Sequence, residues 1–200
     1  MSGGDSGELA ALLGSRICHD LVSPLGAIGN GVELLQMSGM EGSPELELIS
    51  ESVACANARI RFFRIAYGAG APDQTVTLSE IREILDLNGK GRKIQVNWNG
   101  STDLPRDEAR LVFLLLQCLE SCLSWGGDIM ILHEPAVGIR LVAEAERLRD
   151  LSDLWSVLDT QGHNGVAASE VHFALARHAA TELGRAIFRD LKPTRIEVGF

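Results

Sequence analysis

The chain has 200 residues, of which 46% are hydrophobic and 22% are charged, a composition typical of folded globular proteins and not of disordered ones. Its formal net charge of −9 argues against a nucleic acid or an anionic membrane as the main partner. It contains no apolar run of about eighteen residues, the length that would predict a membrane span. The first five residues lack the basic and apolar regions of a signal peptide, so a cytoplasmic location is expected.

The first predicted element is an amphipathic helix from about Glu8 to Met37. Advancing about 100° per residue places its large apolar side chains on the face opposite His19. Those side chains are Leu13, Ile17, Leu21, Leu25, Ile28, Val32 and Leu35. The face around His19 carries small or polar residues, namely Arg16, Ser23, Gly26 and Asn30. The pattern therefore predicts an imidazole that a partner protein can reach, and the alternative is an exposed histidine without a role.

Pro24 lies in the interior of the same predicted helix. An interior proline costs a helix about 3 kcal/mol, because it removes a hydrogen bond and crowds the preceding turn. Packing or function must therefore hold the helix at this point.

A second helix is predicted to begin at Ser43-Pro44, which has the pattern of an N-cap followed by proline at the first helical position. Its apolar residues repeat at steps of three and four, a seam typical of coiled coils. They are Leu46, Ile49, Val53, Ala56, Ile60 and Phe63. Two long helices joined by a short loop predict an antiparallel hairpin. Since burying one Leu or Ile is worth roughly 1.5–3 kcal/mol, the uncovered stripes predict a homodimer built as a four-helix bundle.

From about Thr75 onward the sequence predicts an α+β domain. Helices are expected from Thr77 to about Leu87, over 106–125, near 151–158 and over 167–183. Strands are expected over 94–98, 129–132, 139–142, 185–189 and 195–198. This order predicts helices over a largely antiparallel sheet. The predicted domains are residues 1–70 for the helical hairpin and residues 75–200 for the α+β part.

The four cysteines, Cys18, Cys55, Cys118 and Cys122, show neither disulfide nor convincing metal-ligand spacing. Cysteine is often a small buried apolar residue, and that role is expected here. The histidines other than His19 also lack metal-binding spacing, so no metal site is predicted.

The run Ile17-Cys18-His19-Asp20-Leu21, followed by Ser23-Pro24, resembles the H-box of bacterial sensor histidine kinases. The element order that follows is similar to the ATP-binding domain of those kinases, the Bergerat fold. Among such proteins the chain most resembles the ChpT-type histidine phosphotransferases, which keep both domains but have lost the use of ATP. The resemblance implies a dimeric four-helix bundle followed by a degenerate Bergerat domain, an ATPase-like α/β sandwich.

The second domain departs from the kinase pattern at the nucleotide site. Kinases place two asparagines, four residues apart, on the helix predicted over 106–125, and here Gln117 and Ser121 take those positions. No Asp-x-Gly-x-Gly loop occurs between Leu141 and Leu158. The glycine-containing segment 161–165 is too short to cradle a triphosphate. The sequence therefore predicts no nucleotide cofactor.

The resemblance implies that His19 carries a phosphoryl group between aspartates of receiver domains. A solvated imidazole is largely neutral at pH 7, so one of its ring nitrogens can act as the nucleophile. The residues expected to take part in the chemistry are His19, Asp20 and Ser23, with Asp20 orienting or deprotonating the imidazole. Arg16, Gly26 and Asn30 are expected to contact the partner.

The expected partners are the receiver domains of a hybrid histidine kinase and of response regulators. Each receiver would supply its own aspartate and its bound Mg²⁺, so this chain needs no cofactor. Two alternatives stay open at this point. One is a true ATP-dependent histidine kinase, and the other is a non-catalytic dimeric adaptor that binds response regulators without carrying phosphate.

Overall fold

Two long helices open the chain. The computed structural model describes residues 3–40, 42–70, 73–134, 137–159 and 166–200, without the side chains of residues 3–10, 39 and 40. Helix α1 (Gly3–Leu35) continues through Pro24 and passes into a π-helical turn (Gln36–Met40). The predicted end at Met37 is therefore two residues too late for the α-helix, because the chain widens into the π turn. Helix α2 (Pro44–Tyr67) has proline in its first turn and is capped by the Ser43 hydroxyl, which accepts from the backbone N–H of Leu46 at 3.4 Å.

The two helices lie antiparallel in close contact. The backbone N–H of Ala69, just after α2, donates to the Ser15 hydroxyl at 3.0 Å and to the Ala11 carbonyl at 3.3 Å. A Cβ added at Gly14 would lie 2.9 Å from the Tyr67 carbonyl oxygen, so only glycine allows the helices to approach there. Toward the other end of α1, a Cβ at Gly29 would lie 3.5 Å from the Val53 side chain.

The predicted apolar face of α1 divides into two lines of residues. One line is directed toward α2: Ala11, Cys18 and Val32 are buried and Leu25 is half-buried, at intervals of seven residues. The other line stays exposed in the single chain. It consists of Leu13, Ile17, Leu21, Ile28 and Leu35, and we call it the α1 stripe. A single partner helix covers only part of a broad apolar face, which explains the division.

The rest of the chain alternates helices and strands around one main sheet. The helices are α3 (Leu78–Gly89), α4 (Arg106–Cys122), α5 (Ser152–Ser156) and α6 (Val171–Glu182). The strands are β1 (Thr75–Val76), β2 (Ile94–Asn99), β3 (Leu104–Pro105), β4 (Gly127–Glu134), β5 (Gly138–Glu144), β6 (Phe188–Leu191) and β7 (Arg195–Gly199). The five-stranded sheet has the order β2-β4-β5-β7-β6, with β2 parallel to β4 and the other neighbours antiparallel. β1 and β3 form a separate antiparallel pair.

Helix α4 forms the centre of the hydrophobic core in this part of the chain. Its residues from Leu111 to Leu116 are all fully buried, which confirms the prediction of a buried helix. Alternate residues of the sheet point toward the core, as period-two patterning requires. They include Ile129, Ile131, Leu141, Ala143, Ile196 and Val198. The mixed helix-and-sheet class predicted for this region is confirmed.

Several predicted boundaries were wrong. The strand predicted at Arg185–Arg189 begins three residues later, at Phe188, because the residues that follow α6 are still hydrogen-bonded to the last turn of the helix. Gly184 has a positive φ of 63°, and the N–H of Arg185 still bonds to the carbonyl of Ala180 at 2.9 Å. The helix predicted over 167–183 starts with a 3₁₀ turn (Ala168–Glu170) before α6. The short strands β1 and β3, of two residues each, were not predicted, because they are too short for a period-two pattern.

By internal contacts the chain divides into two units. The first comprises the chain up to Ala69 together with Glu83–Lys90, and the second comprises Gly70–Arg82 and Gly91–Phe200. Helix α3 therefore contributes residues to both units. None of the described helices has the length and apolar character needed to cross a membrane.

Candidate functional site

His19 lies on the surface of α1. Its side chain is 81% exposed, which confirms the orientation predicted from the helical projection. An imidazole in this position is open to an incoming protein, while Cys18 beside it is buried. The two neighbours differ in exposure because adjacent side chains on a helix point about 100° apart.

The side chain of Asp20 bridges two neighbours. Its Oδ1 lies 3.3 Å from Nδ1 of His19, and its Oδ2 accepts from Nε of Arg16 at 2.9 Å. These contacts hold the pKa of Asp20 below its usual value, chiefly through the bond with His19 and next through the bond with Arg16. Because an ionised carboxylate only accepts hydrogen bonds, the proton in the His19 contact belongs to Nδ1. In the neutral ring, the other nitrogen, Nε2, then carries the lone pair.

Pro24 affects the same turn of the helix. A proline has no N–H, so it cannot donate to the carbonyl four residues earlier, which is that of Asp20. The turn next to the imidazole therefore lacks one of the regular hydrogen bonds of the helix.

The other predicted site residues follow His19 along α1. Ser23 and Asn30 are exposed, and Gly26 is half-buried with no atom within 4 Å of a Cβ built on it. Among the contacts described for these side chains, none joins Ser23 to His19. The structure thus joins Arg16 and His19 through the carboxylate of Asp20, and it leaves the remaining three residues further along the same helix.

The positions compared with the kinase asparagines lie on α4. Gln117 is buried, and the Ser121 hydroxyl donates to the Gln117 carbonyl at 2.9 Å. The same hydroxyl oxygen lies 3.0 Å from Nε2 of His172, which is buried on α6. Burial lowers the pKa of His172, so the neutral imidazole with its proton on Nε2 satisfies both contacts. The segment 161–165, which was compared with a glycine-rich loop, lies outside the described residues.

The cysteines are free thiols, and three of them are buried, as expected. Desolvation raises the pKa of Cys18, Cys118 and Cys122, so these thiols stay protonated and unreactive. Within the described part of the chain, no three side chains of His, Cys, Asp or Glu come together as a group that could hold a metal ion.

Two contacts were missed from the sequence. Arg16 and Asp20 are four residues apart, a spacing that favours an ion pair on a helix, so the signal was present. Arg16 was instead expected to meet the partner. The Ser121–His172 contact joins residues 51 positions apart, and nothing in the local pattern indicates it.

The geometry defines a class of protein in which a helical hairpin presents an exposed histidine with one ring nitrogen engaged and the other open, followed by an α+β part. Comparison with known proteins gives the family. Residues 78–194 match the family model described as the histidine phosphotransferase C-terminal domain, and the chain belongs to this family.

Two relatives agree with this assignment. The protein phosphotransferase ChpT of Brucella abortus (strain 2308) is 34% identical over 126 residues, which are 62% of this chain and 60% of the Brucella protein. A solved structure described as a bacterial phosphotransferase is 25% identical with a TM-score of 0.67, and the match covers 100% of this chain and 97% of the other. The family model begins after α2, whereas the likeness to this solved structure covers the whole chain and so includes the helix of His19.

Proposed function

We propose that this chain is a histidine phosphotransferase of a two-component phosphorelay. His19 takes a phosphoryl group from an aspartate of one receiver domain and passes it to an aspartate of another. The observation that carries this proposal is the pairing of Nδ1 with Asp20 on an otherwise exposed ring, because it leaves Nε2 as the accessible nucleophile. The family assignment and the name of the Brucella protein support the same class of activity.

The proposed step needs little from this chain beyond positioning. The lone pair of Nε2 attacks the phosphorus, and the bond from phosphorus to the carboxylate oxygen of the donor breaks. The donor carboxylate keeps that electron pair. Nδ1 keeps its proton, and the carboxylate of Asp20 stabilises the positive charge that the ring gains. Phosphoryl transfer depends mainly on alignment and charge stabilisation, and Mg²⁺ bound to the receiver would supply the rest.

A receiver, and not ATP, is the proposed phosphoryl donor. In the second unit Gln117 is buried, and the Ser121 hydroxyl is engaged by the Gln117 carbonyl and by His172. No glycine occurs between Leu141 and Leu158, and in the loop after β5 the guanidinium of Arg147 lies 4.3 Å from the centre of the Trp125 ring. These contacts support a vestigial Bergerat domain without nucleotide chemistry.

The surface that meets the receivers is proposed to follow α1 from His19 to Ser23, Gly26 and Asn30. Small and polar side chains there leave room for an approaching aspartate and its metal. Because receivers are the proposed partners, the proposed place of action is the cytoplasm.

A homodimer is also part of the proposal. The five side chains of the α1 stripe are 44–59% exposed, which is unusual for large apolar residues along one line of a helix. A second copy would cover them in a four-helix bundle, and the hairpin of residues 1–70 would then be the domain for both dimerisation and phosphotransfer. The ATPase-like part would occupy residues 75–200.

The donor can be tested by offering each candidate separately. The chain is incubated either with a phosphorylated receiver domain or with labelled Mg-ATP, and the label on the chain is followed. We expect acid-labile, base-stable label from the receiver and none from ATP. Labelling from ATP alone would support the kinase alternative, and no labelling from either source would support the adaptor.

A further inference from the structure

We propose that Arg16 is a positioning residue, which holds the carboxylate of Asp20 against the imidazole of His19. The consequence for catalysis rests on the proposed function, whereas the effect on the ring itself does not. This role differs from the partner contact that the sequence indicated for Arg16.

The geometry requires an anchor for Asp20. Neighbouring helical residues point about 100° apart, so an aspartate does not naturally face the histidine before it. Arg16 lies one turn earlier on the helix, four residues from Asp20, and its Nε is 2.9 Å from Oδ2. This bond fixes one carboxylate oxygen, and the other, Oδ1, is then left 3.3 Å from Nδ1 of His19. Each carboxylate oxygen of Asp20 therefore contacts one neighbouring side chain.

The bond with Arg16 also favours the ionised form of Asp20. The bond with Arg16 is one of the two contacts that lower the pKa of Asp20, the other being the bond with His19. A carboxylate stabilised in this way stays ionised and is a weak base. It therefore accepts the hydrogen bond from Nδ1 without removing the proton, and it orients the ring and keeps the lone pair on Nε2. Orientation, and not deprotonation, is the role that the contacts favour for Asp20.

The exposure of the pair makes the inference testable without unfolding the protein. The side chains of Arg16 and Asp20 are 74% and 50% exposed, and exposed ion pairs contribute little to stability. We therefore expect replacement of Arg16 to change the orientation of the Asp20 side chain and to leave the helix intact. Thermal unfolding of each variant would verify this.

The first test reads the ring directly, with the full chain and no partner. ¹⁵N NMR of His19 at neutral to alkaline pH reports which nitrogen carries the proton. We expect the Nδ1-protonated form to predominate in the parent chain and the two tautomers to mix in Arg16→Gln. Arg16→Lys should restore much of the preference, because lysine can also reach a carboxylate four residues away. Lys90→Gln is the matched control, since it removes one cation from an exposed ion pair with Glu51 in the same unit.

The second test measures transfer from a phosphorylated receiver in single-turnover kinetics. We expect Arg16→Gln to lower the rate constant at saturating receiver about two- to fivefold, as expected for an exposed ion pair. The receiver concentration at half-saturation should stay the same. In an Asp20→Asn background the same replacement should have no further effect, because Arg16 acts through Asp20.

Three results would overturn the inference. One is an unchanged balance of the two His19 tautomers in Arg16→Gln. Another is a higher receiver concentration at half-saturation with an unchanged rate constant, which would mean that Arg16 contacts the partner. The third is an equal loss of rate in the Asp20→Asn background. If His19 takes up no phosphate at all, the proposed function fails, whereas the NMR comparison still decides the role of Arg16.

Discussion

At the scale of single residues, neighbouring positions on α1 meet very different surroundings. Cys18 is buried against α2, His19 is open to solvent, and Asp20 is held by Arg16 one turn away. The exposure of His19 followed from helical periodicity alone. The orientation of the Asp20 side chain did not, because it depends on a rotamer fixed by a second side chain.

His172 provides a residue-scale prediction about pH. Burial lowers its pKa in the folded state below the value of about 6.5 for a free imidazole. Protonation then favours the unfolded chain, so the stability that neutral His172 provides is present above about pH 6.5. It is lost as the pH falls through that value toward the lower pKa of the folded state. Glu120 and Glu170, the acidic groups that act on His172 and favour its charged form, oppose the effect of burial only in part.

The measurement is the free energy of unfolding between about pH 7.5 and pH 5.5, for the parent chain and for His172→Gln. Glutamine keeps a donor for the Ser121 hydroxyl but does not titrate in this range. We expect the parent to lose stability faster than the variant as the pH falls. Equal slopes would show that His172 is not held in its neutral form.

At the scale of elements, the hairpin depends on the close approach of its helices at Gly14. A Cβ at Gly14 would lie 2.9 Å from the Tyr67 carbonyl oxygen, whereas a Cβ at Gly31 would meet no atom within 4 Å. Substitution of these two glycines by alanine is therefore expected to change the stability of the hairpin in opposite directions. Gly14→Ala should destabilise the hairpin by about 1–3 kcal/mol, because α1 and α2 must separate. Gly31→Ala should stabilise it by up to about 1 kcal/mol, because alanine favours the helix.

Gly31 lies between Ile28 and Leu35 of the α1 stripe, so both variants are made in an Ile28→Glu background that removes the proposed dimer contact. Chemical denaturation in that background would test this pair of predictions. Each substitution adds the same methyl group to α1, so Gly31→Ala controls for helix propensity. If Gly14→Ala proves as stable as Gly31→Ala, the close approach to Tyr67 does not limit the packing of the hairpin.

The helices and strands differ in how well the sequence predicts their ends. The starts of α2 and α3 were recoverable because Ser43 and Thr77 carry local capping signals, and both hydroxyls accept backbone N–H groups as expected. The burial of α4 followed from its unbroken apolar run. The start of β6 was misplaced because the exit of α6 is set by a backbone bond between Arg185 and Ala180, which no side-chain pattern records. The Ser121–His172 contact depends on how α4 and α6 pack, and so appears only in three dimensions.

At the scale of the whole molecule, the exposed α1 stripe makes a second copy the proposed partner. Ile28 lies in this stripe nine residues beyond His19, so Ile28→Glu places a charge in the proposed interface away from the histidine. Val137→Glu is the matched control, because Val137 is an exposed apolar residue of the second unit. We expect the parent and the control to have the mass of a dimer in solution, and Ile28→Glu to have the mass of a monomer. A monomeric parent chain, or a dimer that Ile28→Glu leaves intact, would contradict this interface.

The central claim is that His19 carries the phosphoryl group between receivers, and a reconstituted relay tests it most directly. A phosphorylated donor receiver and an unphosphorylated acceptor receiver are mixed with catalytic amounts of this chain, and the label on the acceptor is followed over time. His133→Gln serves as the control for loss of a histidine outside α1. We expect the parent chain and the control to pass label to the acceptor, and His19→Ala to pass none above the rate without the chain. Relay that persists in His19→Ala would contradict the account.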